Sequence, residues 1–278
     1  MSKIDSDLES NSTENIKTGN FDGIFEYKIY RDLGYCYLDV IIENEQSISA
    51  EPGALEFLKS DSIIDMKKIM VTTKKGSLMS SVFFGSELFI NTFTAPPKGK
   101  LTITFASKLL GCIIPVSIIP IEIDNTKIIL CNPNSYFASS SYIALDTKFS
   151  LSSGMFGNKI FFSSITTSID KNDKNFNKKA LVFIESYGDE NKKILKENEE
   201  ILIDNGTFLA LVIDKTNEKK QLSLTTFKGW TAALYGGEGF LLKITGPAIV
   251  FLNKRQSADI LNILDSQISQ SVSKIIKK

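Results

Sequence analysis

Three decamers in this chain align without gaps: Gly85 to Thr94, Gly157 to Thr166 and Gly236 to Thr245. Each opens on glycine and carries a phenylalanine at the same place, Phe89, Phe161 and Phe240. Each then closes on an apolar residue followed by threonine. Such self-similarity constrains a fold more than any local propensity, because it implies one supersecondary unit used three times. The enrichment in Phe, Ile and Thr makes that unit a strand.

Upstream of each decamer stands a turn of matching chemistry: Glu51-Pro52-Gly53-Ala54, Asn132-Pro133-Asn134-Ser135 and Asp204-Asn205-Gly206-Thr207. Gly53, Asn134 and Gly206 all tolerate a positive φ at the third place. Pro52 and Pro133 at the second place make the first two type II turns. Asn205-Gly206 predicts a type I′ hairpin turn. Downstream of each decamer comes another short apolar strand: 101–105, 181–184 and 249–252. Three kinds of element recur in one order. They predict an all-β chain, a three-repeat pseudo-symmetric β domain with Phe89, Phe161 and Phe240 pointing into its core. Glu51, Pro52, Gly53, Asn132, Pro133, Asn134, Asp204, Asn205 and Gly206 are read as structural turn residues.

The pattern divides the chain into a disordered tail over 1–20, a β domain over 21–255 and a C-terminal helix over 256–278. The repeats cover about 46–106, 128–187 and 200–253. Residues 25–42 read as a hairpin. The tail is polar and lacks periodicity. In the last segment Leu261, Leu264, Ile268, Val272 and Ile275 recur at three- and four-residue steps, an amphipathic helix stripe. With Trp230, the single tryptophan, these residues are the candidate interface.

Lys plus Arg and Asp plus Glu are 32 each, so formal net charge is zero and no nucleic-acid partner is expected. The chain has no histidine, which removes the commonest general base and metal ligand. Cys36, Cys112 and Cys131 are scattered among apolar neighbours, the setting of reduced core thiols. We expect no catalytic site, no metal and no cofactor. The glycine cluster Gly236-Gly237-Glu238-Gly239 lacks the Gly-Lys-Ser/Thr ending of a phosphate loop and reads as a turn. The N-terminus carries neither a secretion nor a transit signal, and no apolar run spans a bilayer. A cytoplasmic, reducing setting is expected.

The Glu51-Pro52-Gly53-Ala54 turn, Phe89 to Phe93, and Gly111 followed by Ile114-Pro115-Val116 form one recognisable pattern. Asp204 to Ala210, then Gly236 to Gly239 and Thr245-Gly246-Pro247, form another. Together they resemble the altered-inheritance-of-mitochondria family, also called the mitochondrial biogenesis family, over roughly Phe25 to Arg255. The resemblance implies a jelly-roll-like β fold related to the tryptophan-RNA-binding attenuation protein. It also implies no established catalytic activity, and for the eukaryotic mitochondrial member a part in inner-membrane organisation. Asn134 stands where that pattern would carry glycine.

The resulting expectation is a non-catalytic structural or scaffold protein that acts through homo-oligomerisation, a trimer favoured, and through protein partners. The alternative is a ligand- or carbohydrate-binding jelly-roll module. The C-terminal helix packs on its own domain or on a neighbouring subunit; association with a membrane surface is the lesser alternative.

Overall fold

The computed structural model describes residues 16–21, 25–32, 35–60, 70–75, 89–107, 116–132, 135–152, 159–167, 179–225 and 241–254. Strands dominate them. A leading hairpin, β1 (Ile16–Phe21) and β2 (Phe25–Asp32), precedes three sets of six. The first set is β3 (Tyr35–Glu43), β4 (Ser47–Ala50), β5 (Leu55–Ser60), β6 (Met70–Lys75), β7 (Phe89–Thr94) and β8 (Lys100–Ala106). The second is β9 (Val116–Ile123), β10 (Lys127–Cys131), β11 (Tyr136–Ser140), β12 (Ile143–Ser152), β13 (Lys159–Thr167) and β14 (Ala180–Tyr187). The third is β15 (Asn191–Leu195), β16 (Glu200–Asp204), β17 (Phe208–Asp214), β18 (Leu222–Thr225), β19 (Leu241–Thr245) and β20 (Ala248–Leu252).

Pairing within the sets is identical and antiparallel. The first strand pairs with the sixth and the sixth with the third. The second pairs with the fifth and the fifth with the fourth. The described parts of the three decamers, 89–94, 159–166 and 241–245, fall on the fifth strands, β7, β13 and β19. Their equivalent residues Asn91, Ser163 and Leu242 sit opposite Ala50, Cys131 and Ile203, the residues just before the three turns. Each third strand carries a bulge at its second residue, Glu56, Phe137 or Leu209. The repetition therefore holds to single-residue register.

Successive repeats are sewn together by one further pairing. The second strand of one repeat adds to the third strand of the next: β4 to β11, then β10 to β17. This makes two six-stranded sheets, β6-β7-β4-β11-β14-β9 and β12-β13-β10-β17-β20-β15. They are flanked by β1-β2-β3-β8-β5 and by the three-stranded β16-β19-β18. Three apolar cores lie between these four sheets. Leu38 and Phe105 face Phe137 and Phe183 in the first. Ile119 and Val182 meet Ile129 and Leu209 in the second. Leu130 and Phe208 meet Ile203 and Leu242 in the third.

The layering explains the sequence pattern strand by strand. In β3, one face meets a core and burial alternates. In β11, β14 and β17, both faces meet a core, and burial is continuous or nearly so. Those strands read as apolar runs without period.

Three expectations change. The stretch assigned to a tail ends in strand, since Ile16 to Asn20 lie in β1 and pair along β2. The repeats begin one strand earlier than the sequence marks them, because β3, β9 and β15 close onto the sixth strands by non-local pairing. The third turn is not type I′. Asn205–Thr207 is a 3-10 turn in which the Asp204 carboxylate accepts from the Gly206 N–H at 3.0 Å. Neither Asn205 nor Gly206 takes a positive φ. The carboxylate cap supplies locally what a left-handed backbone would otherwise have to provide.

Candidate functional site

The sequence-marked turns do not converge on one pocket. Each lies at a junction between second and third strands, and the first two border a seam. Gly53 takes φ 79° and the Ala54 N–H donates to the Glu51 carbonyl at 3.3 Å, as a type II turn requires. The Glu51 N–H crosses to the Phe137 carbonyl at 2.9 Å, and the Asn132 N–H crosses to the Leu209 carbonyl at 2.9 Å. The turn at Asn132 is closed by the Ser135 N–H at 3.0 Å and the Ser135 hydroxyl at 2.7 Å, both donating to the Asn132 carbonyl. Pro133, Asn134, Trp230, Phe240 and the stripe Leu261, Leu264, Ile268, Val272 and Ile275 lie outside the described residues, as do the side chains of Phe89 and Phe161.

Two surfaces emerge instead. The first is a pair of strand edges. Among the described residues, β5 pairs with β8 on one side only and β16 with β19 on one side only. Both edges display large apolar side chains. Leu55 is 39% exposed, Phe57 49% and Leu202 53%. Their equivalents in the other repeats are sealed: Tyr136 and Phe208, matching Leu55, are 3% and 1% exposed, and Leu130, matching Leu202, is 0%. The sequence did carry a signal here. Glu56 and Lys59 put charges in a third strand whose counterparts, β11 and β17, begin Tyr-Phe-Ala and Phe-Leu-Ala.

The second surface is the outer face of the first sheet. A shallow groove of about 320 Å³ runs between Glu26 and Lys28 on β2, Asp39 and Ile41 on β3, and Phe57 and Lys59 on β5. Asp39 accepts a hydrogen bond from the Thr104 hydroxyl. Tyr30 stacks on Tyr37 at 4.7 Å between ring centroids. Burial, and then the nearby Asp39 carboxylate, raise the Tyr30 phenol above its ordinary pKa. Two carboxylates and two ammonium groups line this face, so it carries no strong field of one sign.

The described thiols are poor nucleophiles. Burial pushes Cys36 up to about 11 and Cys131 up to about 12. Both are free. Among the described residues no three Cys, Asp or Glu side chains are grouped to hold a metal ion, and no helix is long and apolar enough to cross a membrane.

Residues 27–255 match the family described as mitochondrial biogenesis AIM24. Among solved structures, the crystal structure of protein SPYM3_0169 from Streptococcus pyogenes superposes with a TM-score of 0.59 at 14% identity. The alignment covers 87% of this chain and 99% of that one. At that identity the likeness is one of fold. No curated protein matches the chain.

Proposed function

We propose that this chain, which belongs to the mitochondrial biogenesis AIM24 family over residues 27–255, is a non-catalytic scaffold that works as a homo-oligomer, a trimer by expectation, and presents its sheet faces to protein partners. The observation behind this reading is the pair of apolar strand edges, β5 and β16. Their counterparts elsewhere in the same chain are covered by a neighbouring repeat. An exposed apolar edge is a pairing template, and proteins either blunt it or use it. Stacked sheets with fully buried middle strands also suit a rigid platform. The neutral, buried thiols Cys36 and Cys131 fit a reducing, intracellular setting without catalytic cysteine chemistry.

Native mass spectrometry of the full chain tests the assembly. A species at three times 30.9 kDa is expected. A monomer at micromolar concentration refutes the reading.

A second reading rests on the groove of the outer sheet face, where Phe57 and Asp39 could hold a small polar ligand or sugar. Saturable binding by a glycan or metabolite panel, abolished by Phe57→Ala in a chain that stays monomeric, would favour it.

A further inference from the structure

The two internal seams specify a third. In the first seam Ala50 lies opposite Ala138 and Ser49 opposite Ser139. In the second, Cys131 lies opposite Ala210, Leu130 opposite Leu211 and Ile129 opposite Val212. The residue before the turn thus meets the third residue of the next repeat's third strand. At the ends of the repeat series the two halves of such a seam are present but belong to different edges: among the described residues β16 pairs with no later repeat and β5 with no earlier one.

Resting on the homo-oligomer reading, we propose that β16 of one copy pairs antiparallel with β5 of a second copy, head to tail, in the register of the internal seams. Ile203 then lies opposite Phe57, Leu202 opposite Leu58, and Ile201 opposite Lys59.

Side-chain facing supports this register. Cys131 and Ala210, the paired residues of the second seam, both face the core of the earlier repeat, and Leu130 and Leu211 both face that of the later one. Carried to the chain ends, the rule sets Phe57 beside Ile203 over the third core. It sets Leu202 beside Leu58, which packs on the first core. The half-exposed Phe57 and Leu202 are thereby sealed, as their equivalents already are. The contact joins two different surfaces, so it is heterologous. It closes a ring when the rotation per chain permits and otherwise extends. A second copy is the occupant because it presents an edge with the register and the third-strand bulge that this chain already uses twice.

Cysteine cross-linking separates this inference from the broader reading. The double variant Leu202→Cys/Leu58→Cys, oxidised and run without reductant, should give covalent multimers, while each single variant should stay monomeric on the gel. Leu202→Lys, whose site is solvent-facing in the free subunit, should keep the wild-type circular dichroism spectrum and lose the assembled mass. Self-linking of either single variant would show like edges pairing and overturn the inference. If the wild-type chain is oligomeric but the double variant does not cross-link and Leu202→Lys assembles normally, the interface lies elsewhere: the scaffold reading stands and this inference falls. A monomeric wild-type chain removes both.

Discussion

Leu130 and Leu202 occupy the same place in successive repeats, one residue ahead of Cys131 and Ile203. Leu130 is 0% exposed, under a seam, and Leu202 is 53% exposed, on an edge. Truncating each to alanine should therefore give opposite results in two assays. Leu130→Ala removes a fully buried side chain between Leu211 and the third core, and relaxation there is limited because both faces of the sheet are packed. The expected loss is about 3–5 kcal/mol, transfer plus cavity. For a chain of this size that lowers Tm by roughly 10 °C. Leu202→Ala should cost under ~1 kcal/mol in the dissociated chain, as surface changes usually do. Its effect should grow with protein concentration, because it weakens an association that binds only the folded state. Urea unfolding at nanomolar and at tens of micromolar protein measures both. Equal losses for the two variants at nanomolar protein would refute the reasoning, and so would a loss under ~1 kcal/mol for Leu130→Ala.

Three more predictions rest on local structure. A Cβ on Gly246 would stand 2.0 Å from the Lys196 carbonyl oxygen and 2.9 Å from the Leu195 Cβ, so Gly246→Ala should cost about 2–3 kcal/mol; an unchanged denaturant midpoint would show that the turn gives way freely. Cys36 and Cys131 ionise more readily in the unfolded chain, near 9.0, than in the folded one, near 11 and 12. Their contribution is complete below pH 9 and lost as pH rises through that window, so stability should fall there. Iodoacetamide at pH 8 should spare both thiols until urea is added, and peptide mass spectrometry reads this; rapid native labelling of Cys131 would contradict its burial.

The repetition was legible because it rests on local chemistry. Glycine before a strand, a turn with proline or a carboxylate at a fixed place, and a phenylalanine pattern all survive divergence. The resemblance carried by Glu51 to Ala54 and by Gly236 to Pro247 pointed to the same family that residues 27–255 match. Less legible was everything made by long-range pairing. The strands β3, β9 and β15 belong to their repeats only through β8, β14 and β20, more than 50 residues away in the chain. The expected tail hid β1, since Lys17, Thr18, Gly19 and Asn20 look like loop and pair as strand only because β2 lies beside them. The edges were hidden for a different reason. Leu55, Phe57 and Leu202 look like core residues in sequence; apart from the charges of Glu56 and Lys59 in β5, only the seam order shows that no repeat among the described residues covers them.

Amide hydrogen exchange of wild-type chain against Leu202→Lys at equal concentration tests the head-to-tail pairing most directly. The substitution sits in β16, yet the account predicts that peptides covering β5, 55–60, lose protection while those covering β11 and β17 keep theirs. Identical exchange across 55–60 in the two proteins, with the wild-type chain assembled, would contradict it.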